Sequence, residues 1–170
     1  GKLDYSSKTI RAFIGLLGEK DRFELITFNT LPQPLFNKLV TPSIDATNQI
    51  NKALSNLTAR GGTSIEPALT LAYKYASQEK SLNIVILSDG IDQASYPKSL
   101  IDQMRNKSSD QNARTFCIGV GNEVNKSLLQ KIADESGGLA AFISRSDDFN
   151  RCADLFFKKL TMPIAQNVSI

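Results

Sequence analysis

The chain has 170 residues, 41% hydrophobic and 22% charged, with a net charge of +3. That length and composition fit one ordinary globular domain, able to bury about 70% of the surface its unfolded chain exposes without staples. The lack of histidine excludes Ser-His-Asp and Cys-His catalysis and histidine-held metals. The scattered Lys and Arg form no basic stripe of the kind that nucleic acid requires.

Ile10, Phe13, Ile14 and Leu17 recur at helical spacing and predict a helix with one apolar face, ended by Gly18. Phe23–Phe28 reads as a strand, Pro32 and Pro34 as a turn, and Leu35–Val40 as a short edge strand. Ile50, Ala53, Leu54 and Leu57 predict a second helix, which Arg60-Gly61-Gly62-Thr63 breaks. A third carries Ala68, Leu71, Ala72 and Tyr75. The apolar run Leu82–Leu87 predicts a strand buried on both faces. A helix through Leu100, Ile101 and Met104 follows, then a buried strand over Thr115–Val120. Leu128, Leu129, Ile132 and Ala133 mark a fifth helix, stopped by Gly137-Gly138. Leu139–Ile143 is a last strand. Phe149, Ala153, Phe156 and Leu160 mark a last helix, capped by Asp147 or Asp148.

Strands alternating with helices of this length imply right-handed crossovers. The fold class is therefore α/β: a doubly wound, mainly parallel sheet with helices on both faces. Such a sheet ordinarily opens on a strand, and this chain opens on a helix, so the fold is expected to lack its first central strand within residues 1–170. Residues 1–162 form the expected domain; residues 163–170, opening on Pro163, form a linker or the start of a following domain.

In a doubly wound sheet, ligands bind outside the carboxyl ends of the strands. Two loops would reach that edge: Gly61-Gly62-Thr63-Ser64 before a helix, and Ser88-Asp89-Gly90 after the strand Leu82–Leu87. Hydroxyl and carboxylate oxygens brought together suit a hard cation such as Mg2+. Thr63 and Glu66 also fit a capping box, and Asp89-Gly90 a plain turn, so both loops have structural readings as well. Cys117 and Cys152 read as buried free thiols, with a bridge between them as the lesser alternative. Asp45, Asp92 and Asp102 show no ligand spacing and read as solvated surface, and Asn167-Val168-Ser169 fits a glycosylation acceptor pattern.

Taken in order, these motifs resemble the von Willebrand factor A-type (VWA) domain. Ile86-Leu87-Ser88-Asp89-Gly90 looks like the family's fourth-strand motif and Gly61-Gly62-Thr63 like its second metal-site loop. Phe116-Cys117-Ile118-Gly119-Val120-Gly121 resembles its fifth strand, and Gly137-Gly138 with Ala141-Phe142 the approach to its sixth. Pro163 with Asn167-Val168-Ser169-Ile170 is similar to the subgroup holding the inter-alpha-trypsin inhibitor heavy chains and many bacterial proteins.

The resemblance implies a metal-ion-dependent adhesion site in which Thr63 and Asp89 are metal ligands, with Gly62, Ser64, Ser88 and Gly90 in the supporting loops. The family's Asp-x-Ser-x-Ser motif, expected directly before Gly1, lies outside residues 1–170, so the chain as it stands is expected to bind Mg2+ poorly. The implied function is a non-enzymatic protein-binding module. Its Mg2+ (or Mn2+ or Ca2+) would be completed by a partner's Glu or Asp, within a larger polypeptide for which an extracellular, periplasmic or cell-surface place is slightly favoured over a cytoplasmic one. Two alternatives stand beside it. One is an interaction domain with a degenerate site that binds without metal. The other is a nucleotide- or phosphate-binding enzyme domain at Gly61-Gly62-Thr63-Ser64, against which the chain has neither G-x-G-x-x-G nor G-x-x-x-x-G-K-[ST].

In the family's order the first strand lies between Phe23–Phe28 and Leu82–Leu87. An intact monomer with that slot unfilled would cost more than a typical domain stability of about 5–15 kcal/mol. The expectation is that another strand fills the slot or that its two neighbours close up.

Overall fold

The computed structural model describes residues 2–28, 31–57, 65–78, 81–88, 98–110, 113–121, 124–144, 151, 154–156 and 158. Helix α1, Lys2–Gly15, ends in tight turns in which Leu16 and Leu17 donate to the carbonyls of Phe13 and Ile14. The expected stop at Gly18 comes three residues after the helix, where the Gly18 N–H donates to Oδ2 of Asp21 at 2.7 Å.

Of the strand expected over Phe23–Phe28, only Ile26–Phe28 (β1) is regular, and Phe23 makes an isolated bridge to Val40. The side chain of Glu24 accounts for the shortening. Its Oε1 accepts from the backbone N–H of Leu25 at 2.8 Å and of Phe36 at 3.0 Å, replacing ladder bonds. Oε2 accepts from the Tyr75 hydroxyl at 3.2 Å, clipping this ribbon to a distant segment.

The turn expected at Pro32 and Pro34 is instead strand β2, Pro32–Pro34, antiparallel to β1. Leu35 donates to the Leu25 carbonyl, so residues 33 and 35 face β1 while both prolines face outward, where no ladder N–H is missed. The strand expected over Leu35–Val40 is not regular apart from the bridge at Val40.

Helix α2, Ile44–Ser55, begins at Ser43, whose Oγ accepts from Ala46 N–H at 3.0 Å. It buries Ala46, Ile50 and Leu54, four residues apart on one stripe. Helix α3, Ile65–Tyr73, runs into a 3-10 turn, Lys74–Gln78. Strands β3 (Leu82–Ser88), β4 (Ala113–Val120) and β5 (Ala140–Ile143) form a parallel sheet in that order, with α4 (Lys98–Asp110) and α5 (Lys126–Glu135) as crossovers. Residues 151, 154–156 and 158 are helical; the expected caps Asp147 and Asp148 lie outside the described residues.

Side-chain alternation on β4 divides the core in two. Cys117 faces Ile65, Leu69, Tyr73, Met104, Leu129 and Ile132, beneath α3, α4 and α5. Phe116, Ile118 and Val120 face the other way, onto Ile143, Phe156 and Phe13 of α1. All eight residues of β4 are buried. Burying each large apolar side chain contributes about 1.5–3 kcal/mol, so a truncation such as Ile118→Ala would open a costly cavity. These observations establish the doubly wound α/β class, with helices on both faces.

The strand expected to be buried on both faces, β3, is not: Asn83 and Val85 are exposed, Val85 by 37%. The reason lies in its pairing. Among the described residues β3 pairs only with β4, and β1 only with β2, leaving two separate sheets. Among the described residues β1 does not pair directly with β3.

Candidate functional site at the carboxyl edge of the sheet

Because β3, β4 and β5 run parallel, their carboxyl ends meet at one edge. Ser88 pairs with Gly119, and Val120 with Ile143. Gly119 admits Phe142, whose ring would stand 2.8 Å from an added Cβ. Gly121, at φ 96°, turns the chain out of β4 and donates to the Ile143 carbonyl at 2.8 Å. The α5 N-terminus follows, capped by Asn125 Oδ1, which accepts from Leu128 N–H at 3.1 Å. Lys126 sits in its first turn, with Nζ 5.5 Å from the centre of the Phe142 ring. Sequence reasoning did not single out this cation; the signal was its place as first residue of a helix that follows a parallel strand.

Of the residues singled out, Ser88 is described: it ends β3 and is buried. Thr63, Asp89, Gly62, Ser64 and Gly90 lie outside the described residues, as does the proposed proximity of Thr63 to Asp89. Their described chain neighbours share one core. Ile65, two residues after Thr63, is fully buried at the start of α3, in the same cluster as Ile86 of β3. Among the described residues no group of three or more Cys, Asp or Glu could hold a metal ion. Thr63 and Asp89, the expected ligands, carry hard oxygens with one carboxylate, a donor set whose chemistry would suit a hard divalent cation better than a soft metal.

The titratable groups with displaced pKa values in the described core lie away from this edge chemistry. Burial pushes the Cys117 thiol far up, so it stays neutral and inert. Burial also raises Tyr73, against the opposing effect of its hydrogen bond to Thr115.

Residues 2–142 match the family described as von Willebrand factor type A domain. The chain belongs to that family. Inter-alpha-trypsin inhibitor heavy chain H4 from Homo sapiens is 26% identical to it over 179 residues, covering 99% of this VWA chain and 19% of that protein. The VWA chain thus spans about a fifth of the length of such curated relatives. Among solved structures, a von Willebrand factor type A protein from Catenulispora acidiphila superposes with a TM-score of 0.75 at 20% identity, over 89% of this chain and 37% of the other. Proximal thread matrix protein 1 from the mussel byssus, solved with a zinc-occupied MIDAS motif, gives a TM-score of 0.61 at 13% identity, over 91% and 42%. These structural likenesses establish the shared VWA fold. No described helix of this VWA domain is long and apolar enough to cross a membrane.

Proposed function

We propose that this VWA domain is a non-enzymatic protein-binding module. It would hold a divalent cation, Mg2+ in the first instance, at the carboxyl edge of its sheet. Thr63 and Asp89 would be its ligands from this chain, with Gly62, Ser64, Ser88 and Gly90 shaping the loops. A partner's Glu or Asp carboxylate would complete the shell, within a larger extracellular, periplasmic or cell-surface polypeptide. The observation that carries the reading is the parallel order β3-β4-β5, which brings the carboxyl end of β3, and so the approach to Asp89, to the edge where such sheets bind ligands. The zinc-occupied MIDAS motif of the mussel protein supports the metal assignment.

Divalent affinity rises with ligand charge and number. Two ligand residues carrying one negative charge should therefore bind Mg2+ weakly, and an added strand ending in Asp-x-Ser-x-Ser should complete the site. Titration calorimetry with Mg2+ on the 170-residue chain and on the extended version checks this. Tight binding is expected in the extended version alone, and Asp89→Asn should abolish it. Equal tight binding by both, or by neither, would overturn the assignment. Nucleotide titration of the same samples tests the enzyme alternative, for which no heat is expected.

A further inference from the structure

The seam between α1 and α2 is closed at one end and open at the other. Arg11 Nε donates to Asn51 Oδ1 at 3.0 Å and joins the two helices there. One turn onward along α1, and one turn back along α2, the seam widens into an open groove of about 450 Å3. Ile14, Gly15 and Leu17 line it from the end of α1, and Ile44, Thr47 and Asn48 from α2. Residues 11, 14 and 15, like residues 44, 47, 48 and 51, follow helical spacing, so each set forms one face.

Two features set this groove apart from loose packing. Ile44 is 83% exposed and stands off the stripe of Ala46, Ile50 and Leu54 that α2 buries. Gly15 leaves the groove empty: a Cβ added there would meet nothing within 4 Å, and its φ is not positive. Neither the backbone nor a neighbour requires glycine, which weakens a helix relative to other residues. What Gly15 does is keep the groove open.

Charge selects what can fill it. No lining residue is ionisable. The charge on the two facing stripes is that of Arg11, which is exposed and oriented by Asn51, with its terminal amino groups lying beyond the bonded Nε. Lys8, one turn before Arg11, and Lys52, next to Asn51, are exposed and add the same sign. Asp45, beside Ile44, is held along α2 by Gln49, whose Nε2 donates to its Oδ2 at 3.0 Å.

We propose that this groove docks a partner protein through one large apolar side chain, seated over Gly15, and a carboxylate bonded to Arg11. Arg11 and Gly15 stand one turn apart, about 6 Å along α1, which is the spacing of residues i and i+4 on a partner helix. The surface shares no residue with the carboxyl edge of the sheet and needs no metal.

The test titrates the isotope-labelled 170-residue chain with an alanine-based helical peptide, followed by amide shifts. The probe carries one Leu with Glu four residues to either side, so that either helix direction presents a carboxylate. Saturable shifts are expected at Gly15, Thr47 and Asn48. Replacing the Leu by Ala should weaken binding about tenfold or more, and replacing both Glu by Gln about threefold, as suits an exposed ion pair. Against Arg11→Gln the Glu and Gln peptides should bind alike. Gly15→Met fills the groove and should abolish binding without lowering the melting temperature, since methionine favours a helix more than glycine does. No saturable shift, shifts centred outside this groove, equal binding of the Leu and Ala peptides, or tighter binding when Lys replaces Glu would overturn the proposal. So would light scattering that finds a dimer of the 18.6 kDa chain which Gly15→Met dissolves, since a second copy would then fill the groove.

Discussion

Gly138 lies against the backbone of Thr115 so closely that an added Cβ would collide with the Thr115 carbonyl oxygen and stand 2.6 Å from its carbon. The obstacle is backbone in the middle of a buried sheet, not the yielding end of a side chain. Gly138→Ala should therefore destabilise the fold by about 1–3 kcal/mol, the usual range for forced overpacking. Urea denaturation would show it as a lowered midpoint at unchanged slope.

The same crossing holds a buried polar knot. The Ser136 hydroxyl accepts from the Thr115 N–H at 2.9 Å and lies 3.1 Å from the Thr115 carbonyl, to which it donates. Removing it strands buried backbone groups on β4. Ser136→Ala should cost about 1–3 kcal/mol. Tyr73→Phe, which deletes a longer 3.3 Å contact to Thr115 Oγ1, should cost less. Thermal unfolding of the two variants gives the order.

Cys117 should resist alkylation in the folded protein. Its thiol is fully buried and its pKa raised by burial, so neither access nor thiolate is available. Mass mapping of the Cys117 peptide after iodoacetamide should find it unmodified in buffer and modified in denaturant. Because burial holds the thiol protonated in the folded state, the unfolded chain loses that proton at a lower pH. Stability should fall as pH rises above the ordinary thiol value of 9.0.

Arg105 and Glu135 join α4 to α5 through two bonds, of 2.6 and 3.0 Å. The guanidinium holds the Glu135 carboxyl below its ordinary value of 4.5. The pair's contribution is thus present above that value and lost as pH falls through the lowered one. Both groups meet solvent, so the effect is small and screened by salt. Glu135→Gln should lower the melting temperature slightly near neutral pH in dilute buffer, and leave it unchanged in about 1 M salt.

The helical stripes of α2 and α5 and the strands β4 and β5 were legible because periodicity reports burial directly, whereas of the stripe expected on α3 only Ala68 is buried and the core face is Ile65, Ala68, Leu69 and Tyr73. Two misreadings have a common origin in partners that sequence does not display. Pro32 and Pro34 suggested a turn since proline lacks an N–H, yet an antiparallel edge leaves alternate N–H groups unused. The apolar run Leu82–Leu87 suggested burial on both sides, which requires a neighbour along each edge. Glu24, a carboxylate inside a strand pattern, did more to end that strand than any breaker nearby. The candidate site was readable only as an order of short motifs, because its oxygens come from segments that the fold, and not the spacing, would assemble.

The outward prolines of β2 have a bearing on how the molecule behaves in company. With Gln33 turned inward to β1, the outer margin of β2 offers carbonyls but not one N–H across Pro32–Pro34. A stray chain laid along it would find half of the contacts that a growing sheet needs. The outer margin of the two-stranded ribbon is thus poorly suited to the addition of another strand. A sheet growing between copies of the molecule should therefore not extend across the Pro32–Pro34 margin of β2.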